Sequence, residues 1–460
     1  MSQVELERGT QVTVQVTDLA FQGRGVARID GLVVFVDGGL PGDTVNIEIT
    51  HRHRRYIESR VLNVVEPSPD RVAPRCAHFG ECGGCRLQNL AYEKQLAFKA
   101  AQVRNHLQRI GGLEHLPEIP MIACEPTFGY RNKMEFAFGR DSAGRLTLGL
   151  HPRETYASVF DLRECHLPSP TFARIVDLTR RHFSSINAPA YDPVAHTGLL
   201  RFLVIREGVN SNQFLVNLVT APGEVADAQD WVSVLKDAVP GLTTAVRTVN
   251  AARANIAIGE VTGIWYGPGA FSERLGSLEF ELGPLSFFQT NTRQAEKLFA
   301  TALGYADLSP TDHVLDLYSG AGAISLLAAR QAGRVTGVEV VPEAVTAAHA
   351  AAGRNGIANC EFVCADVRQF LKNAVVEKDR FDIAIVDPPR AGLHPKVVKR
   401  LGELAPPKIV YVSCNPSTLA RDVGLFTGGR YRLAQITAVD MFPHTAHIET
   451  VALLQLTEEK

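Results

Sequence analysis

The 460-residue chain has no excess of either charge. Its 47 Lys and Arg stand against 49 Asp and Glu, for a formal net charge of −2 and a pI near 6.7. That balance excludes a protein that holds nucleic acid by bulk positive charge, while leaving room for a local basic groove. No apolar run approaches the roughly 18 residues a membrane-crossing helix needs. Met1-Ser-Gln-Val-Glu-Leu-Glu-Arg8 lacks the charged-then-apolar pattern of a secretion signal. Cysteine is scarce and clustered, with eight residues in all, which does not suit a secreted disulfide scaffold. Repeats and low-complexity tracts are missing too. With 45% hydrophobic and 21% charged residues the chain has the make-up of a folded protein, and wholesale disorder is excluded. These features predict a cytoplasmic, non-membrane, multidomain monomer of about three domains.

Val12, Val14 and Val16 recur at the strand period of two, and Val33–Val36, Val45, Ile47 and Ile49 continue the β-branched text between glycine turns. This predicts a small barrel of the oligonucleotide-binding kind over residues 1–66. His51-Arg-His-Arg-Arg-Tyr56, the densest basic stretch, reads either as a solvated strand edge or as a phosphate-contacting patch with one stacking ring. A central α+β domain is expected over 67–285. It includes an amphipathic helix at about 91–112, stopped by Gly111-Gly112, and a hairpin turning at Asp141-Ser-Ala-Gly144. From Asp312 strands alternate with helices, which predicts a Rossmann-like α/β domain over 286–460.

Cys76, Cys82 and Cys85 read C-x5-C-x2-C, and Cys165 stands alone. Four thiolates suit zinc or an iron–sulfur cluster. Zinc usually pairs two C-x2-C motifs, whereas Gly83-Gly84 permits sharp turning around a bulky cluster. The C-x3-C-x2-C of radical enzymes is absent.

His313-Val-Leu-Asp-Leu-Tyr-Ser-Gly-Ala-Gly322 reads as a buried strand ending in a glycine turn, but without the third glycine of a dinucleotide fingerprint. Strand-end acids follow at Glu339, suited to ribose hydroxyls, and at Asp366, suited to an adenine amine. A nucleoside ligand without pyrophosphate, such as S-adenosylmethionine, fits better than a dinucleotide. Asp387-Pro-Pro-Arg390 has an arginine where exocyclic-amine methylases carry an aromatic residue, which argues against that chemistry. Cys414 closes another strand, where open α/β sheets place ligands. Such a cysteine alone is more often packing than nucleophile. Glu449 sits in apolar text, and a buried acid there is costly unless it is paired or reactive.

Ser286-Phe-Phe-Gln289-Thr-Asn291, Asp316–Gly322, Asp387–Arg390, Val412-Ser-Cys-Asn-Pro416 and Phe442–Glu449, in that order, resemble the RNA (uracil-5-)-methyltransferases. The barrel and cysteines resemble the branch that modifies 23S ribosomal RNA. The resemblance covers nearly the whole chain. It implies a class I S-adenosylmethionine-dependent methyltransferase domain behind a TRAM-type RNA-binding barrel. Cys414 would be the nucleophile and Glu449 the proton-abstracting base. Gln289, Tyr318, Gly320, Ala323, Glu339, Asp366 and Asp387 would line the cofactor and target base. Cys76, Cys82, Cys85 and Cys165 would hold a [4Fe-4S] cluster. The helix from Tyr92 would pack on the catalytic domain. Tyr318-Ser319 stands where relatives often have Phe-Cys, and Ala323 where several have Asn, leaving only backbone there. Transfer RNA as substrate, a non-catalytic ribosome-assembly role and cytosine-5 methylation are the rival readings. Phe287, Phe288 and Tyr130–Lys133 are candidates to hold RNA, with core packing or plain surface charge as the alternative.

Overall fold

A computed structural model describes residues 6–153, 155 and 158–457; the first five residues of the amino-terminal motif lie outside them. The chain divides into two compact units rather than the three expected. One comprises residues 1–102 with 442–447, and the other 103–441 with 448–460.

In the first unit six strands run in the order Gln11–Gln15, Thr44–Arg52, Tyr56–Glu66, Leu32–Asp37, Gly25–Ile29, Asp18–Leu19. Consecutive amides close this sheet on itself: Val16 N–H bonds Asp43 O at 2.9 Å and Thr17 N–H bonds Val26 O at 2.8 Å, near opposite edges. Alternate residues fill the interior, among them Val14, Val16, Val34, Val36, Val45, Ile47, Ile49 and Ile57. The period-two pattern is therefore the barrel's inner face.

The second unit holds two large sheets. The central one has seven strands, ordered Phe160–Asp161, Leu146–Leu150, Lys133–Arg140, Leu200–Gly208, Gln213–Thr220, Leu242–Val249, Glu260–Tyr266. Helices Pro170–Ser185 and Ala228–Ala238 supply Phe172, Phe183, Trp231 and Leu235 to its core. The expected hairpin is present: Asp141 Oδ1 accepts the amides of Ala143 and Arg145, both at 2.9 Å, and Gly144 takes φ 77°.

The other sheet has eight strands, ordered Cys360–Cys364, Arg334–Glu339, His313–Leu317, Ile383–Val386, Lys408–Ser413, Glu449–Leu456, Tyr431–Val439, Met121–Ile122. The first five are parallel, and Glu449–Leu456 runs antiparallel to its neighbours. Strand order reverses between His313–Leu317 and Ile383–Val386, which makes the carboxyl ends of those two strands the place for a ligand. Val103 and Leu107, from the second half of helix Tyr92–Arg109, are buried in this sheet's core with Leu315, Tyr411 and Val423. Among the described residues no helix is long and apolar enough to cross a membrane.

The two sheets share one unit because buried polar groups join them. Asn132 Nδ2 donates to Gln289 O at 3.0 Å and to Thr292 Oγ1 at 2.8 Å, and Thr292 Oγ1 donates to Glu273 Oε2 at 2.9 Å. Each of these groups would cost free energy if the sheets parted without water reaching it.

Candidate active site

The glycine turn after His313–Leu317 opens the site. Tyr318 (φ 65°), Gly320 (φ 55°) and Gly322 (φ 83°) take left-handed conformations, and the amides of Tyr318 and Ser319 both bond Val338 O. No atom lies within 4 Å of where a Gly320 side chain would begin, so bare backbone faces open space there. Gly322 could not bear a side chain, since its Cβ would lie 2.7 Å from the Phe362 ring. Glu339 Oε2 accepts the Gly320 amide at 3.0 Å, while Oε1 accepts those of Val340 and Val341. Ala323 opens the helix Ala323–Ala329 directly behind the turn. Asp316 is buried beneath it, bonded by the Ser325 hydroxyl and pushed up to about 7 by desolvation. Asp316 Oδ1 and Ser319 Oγ are buried without a hydrogen-bond partner among the described residues. Left-handed glycines, an acid at the second strand end and unsatisfied polar atoms under the turn together fit a polar nucleoside ligand.

Asp366 answers differently. Its carboxylate caps the helix Val367–Glu377, accepting the amides of Arg368 at 2.9 Å and Gln369 at 3.2 Å, and pairs with the Arg368 guanidinium at 2.8 Å. The Arg368 hydrogen bond first, then those amides, holds the carboxyl down at about 2. A group so engaged is a helix cap, a role that its strand-end position alone did not announce.

Sheet register brings the two candidate catalytic residues together. Val412 faces Val451 and Ser413 faces Thr450, the last pair of this antiparallel ladder, so Cys414 and Glu449 are the residues flanking that pair, close enough for the Glu449 charge to act on the thiol. Glu449 is the first residue of its strand. The Glu449 side chain is buried, and among the described residues no donor or cation contacts its carboxyl group. Desolvation first, then the charge of Asp387, raises it well above the ordinary carboxyl range. Cys414 is half-buried, and burial, then Glu449, then Asp387 push its thiol up to about 11, with Arg390 pulling the other way. Asp387, just past Ile383–Val386, is raised to about 7 by desolvation and by Asp316. Cys414, Glu449 and Asp387 therefore gather at one end of the sheet, with Asp387 disfavouring the ionisation of Glu449 and both acids that of Cys414.

A clamp that the sequence reading missed fixes the two loops carrying this chemistry. Asn415 caps the helix Pro416–Thr427, and its Nδ2 donates to Arg390 O at 3.0 Å. Buried Asp422 Oδ2 accepts the Leu393 amide and the Tyr411 hydroxyl, both at 2.8 Å. Arg421 pairs with Asp422 and donates to Ala391 O and Leu393 O. At Gly392 (φ 72°) a Cβ would sit 2.7 Å from Asp422 Oδ2, so only glycine fits. The signal was an Arg-Asp pair on the otherwise apolar helix face of Leu419, Val423 and Phe426.

Gln289 is half-buried just before the helix Thr292–Ala306, and its side-chain amide has no partner among the described residues. Of the two neighbouring phenylalanines, Phe288 is core, tilted against Phe280 at 5.6 Å, whereas Phe287 is 76% exposed. Tyr130 is buried, and Lys133 pairs with Glu135 at 2.9 Å. In the barrel, Arg54 and Arg55 are exposed between Thr44–Arg52 and Tyr56–Glu66, and the His53 ring stacks on Tyr56 at 4.3 Å.

Cys82 Sγ accepts the Gly84 amide at 3.4 Å and Cys85 Sγ accepts from Gln88 Nε2 at 3.3 Å, donors that suit thiolates. Among the described residues, however, no group of three or more His, Cys, Asp or Glu is gathered to hold a metal ion. The expected ligand set Cys76, Cys82, Cys85 and Cys165 is thus not shown as a metal site.

A strand order with its reversal beside a glycine turn, and a thiol and an acid at the same end, define a methyltransferase-type α/β domain. The family model described as tRNA (uracil-5-)-methyltransferase matches residues 277–457, and the TRAM domain model matches residues 5–62. An uncharacterised RNA methyltransferase of Nitratidesulfovibrio vulgaris is 41% identical over 455 residues, covering 98% of this chain and 97% of its own. One from Halalkalibacterium halodurans is 35% identical, covering 99% of each. Among solved structures, the Pyrococcus abyssi tRNA (uracil-54, C5)-methyltransferase in complex with S-adenosyl-L-homocysteine superposes with a TM-score of 0.79 at 31% identity. It covers 96% of this chain and 99% of its own. The chain belongs to the RNA (uracil-5-)-methyltransferase family and is an enzyme of that class.

Proposed function

We propose that the enzyme methylates carbon 5 of a specific uridine in 23S ribosomal RNA through a covalent bond from Cys414 to the pyrimidine. The observation that carries this reading is a half-buried thiol and a buried acid flanking the last pair of one antiparallel ladder. S-adenosylmethionine supplies the methyl group, as a cationic sulfonium, when bound. Gln289, Tyr318, Gly320, Glu339 and Asp387 are the residues to hold it, with Ala323 contributing backbone and Asp366 keeping the rim in shape.

Carbon 5 of uracil is a poor nucleophile. Addition of the Cys414 thiolate to carbon 6 forms a C–S bond and drives the ring's electron pair onto the carbon 4 oxygen, making carbon 5 an enolate carbon. Carbon 5 then bonds the methyl carbon as that carbon's bond to sulfur breaks. Glu449 removes the carbon 5 proton, the C5–C6 double bond re-forms, and the thiolate leaves. Addition requires the half-buried Cys414 thiol to give its proton to solvent, and Glu449 must be ionised when it takes the carbon 5 proton; the Arg390 charge, which lowers both groups, favours those forms. The uridine must leave its stack to reach this site, and exposed Phe287 is suited to fill the gap or stack on a neighbour.

The barrel's Arg54, Arg55 and stacked Tyr56, with the four cysteines, support the ribosomal substrate and a [4Fe-4S] cluster. Transfer RNA is the second reading, favoured by the full-length likeness to the Pyrococcus abyssi enzyme. Wild-type protein is expected to form a denaturation-resistant adduct with 5-fluorouridine RNA, and Cys414→Ala to form none while binding S-adenosylhomocysteine normally. An adduct in Cys414→Ala overturns the route. Mapping 5-methyluridine in both RNAs from a deletion strain decides the substrate, and an anaerobic preparation with about four irons per chain supports the cluster.

A further inference from the structure

Two helices of the catalytic domain, Val367–Glu377 and Pro395–Leu404, are packed side by side, with Leu371, Val397 and Leu401 in the core. Between them lies a cavity of about 300 Å³ lined by Asp366, Arg368, Gln369, Lys372, Lys396 and Arg400. Four cations thus face one carboxylate, and that carboxylate is already committed to Arg368 at 2.8 Å. Arg400 is held by its bond to Arg368 O, which aims its charge across the gap. Lys372 and Lys396 have no acidic partner among the described residues, although ion pairs engage many other cations on this unit. Gathering like charges raises the free energy of the empty site, and an anion relieves it. The lining has no aromatic or aliphatic side chain, so it offers a nucleobase nothing to stack on.

Topology says where the anion comes from. The first helix follows the strand Cys360–Cys364 and the second follows the loop after Ile383–Val386, so the cavity opens beside the strand ends that carry Asp387 and, one strand on, Cys414. We propose that this cavity binds phosphodiester groups of the substrate RNA flanking the target uridine, a sequence-independent contact that positions the strand along the rim. The proposal rests on the RNA uracil-methylation reading.

The test compares wild type with Lys372→Glu/Lys396→Glu and with the charge-conserving Lys372→Arg/Lys396→Arg, over a range of salt concentrations. The reversed pair is expected to weaken RNA binding about tenfold or more at 0.1 M salt. It should also lower the slope of log affinity against log salt by about 1.5, the yield of two lost phosphate contacts. The loss should fall on KM for RNA, S-adenosylhomocysteine affinity should hold, and the Arg pair should restore the slope. Unchanged RNA affinity and slope in the reversed pair, with wild type still trapped on 5-fluorouridine RNA, overturns this site and leaves the covalent mechanism standing. Loss of S-adenosylhomocysteine binding would assign the cavity to the cofactor instead, also against the proposal. In a separate arm, inorganic pyrophosphate should compete with RNA on wild type. Pyrophosphate binding that the reversal abolishes without touching RNA affinity would make it a free-anion site and overturn the RNA role.

Discussion

Two buried glutamates in the same compact unit carry opposite meanings. Glu273, on the Phe271–Leu275 strand, is fully buried, yet its carboxylate accepts the amides of Val209, Asn210 and Arg274 and the Thr292 hydroxyl, all between 2.8 and 3.0 Å. Glu449 is buried to a similar degree and accepts from no donor among the described residues. Burial raises both, but only Glu449 goes well above the ordinary range, with a second acid pushing it further. The central sheet repeats the first pattern at buried Arg206, which donates to Gly283 O and Ser286 O. A satisfied buried charge is a joint, whereas an unsatisfied one is kept at a cost in stability that only chemistry explains.

Substitution separates the two most sharply. Glu449→Gln is expected to lower methylation by about 10²–10⁴ while the RNA adduct still forms and accumulates on a denaturing gel. The same variant should be more stable than wild type. Its folded-state carboxyl titrates above the unfolded value, so ionisation penalises the fold as pH rises past about 4.5. The gain, about 1–2 kcal/mol, should thus be larger at pH 8 than at pH 5 in thermal melts. Glu273→Gln should do the reverse, turning an amide NH2 toward backbone donors and costing about 1–3 kcal/mol. A stabilised Glu273→Gln or a destabilised Glu449→Gln at pH 8 would erase the distinction.

A smaller effect reads the electrostatics directly. The pH midpoint for alkylation of Cys414 by iodoacetamide should fall in Glu449→Gln and, by less, in Asp387→Asn, and should rise in Arg390→Ala, following the charges that set the thiol. An identical midpoint in all three variants would separate the thiol from its neighbours. Smallest is Asp366→Ala, expected to cost about 1 kcal/mol through the lost helix cap and to leave S-adenosylhomocysteine affinity within about twofold. A tenfold loss of that affinity would restore the adenine contact.

Much of this was legible in the chain itself. Val14, Val16, Val45 and Ile47 showed the barrel's inner face because a strand's period is local. The glycines at 320 and 322 showed the turn because left-handed backbone needs them. Cys414 and Glu449 were visible as costly residues in apolar text. Position along the chain did not show that the strand-end acid Asp366 caps the next helix, nor which of two adjacent rings packs in the core; Phe288 does and Phe287 is exposed. The Asp422 clamp was hidden because its partners come from separate places in the chain, Tyr411 on the strand Lys408–Ser413 and Leu393 in the loop after Ile383–Val386.

Sequence by itself determined the motifs that resemble the family, the alternation of strands and helices, and which side chains are candidates for the chemistry, because period, turn residues and misplaced polar groups are properties of short stretches. Only tertiary structure decided that Cys414 and Glu449 flank one ladder pair, that Glu273 has hydrogen-bond donors while Glu449 has none among the described residues, and that four cations meet around one cavity. Each of those facts depends on residues far apart in the chain, brought together by sheet register and helix packing that no local pattern encodes.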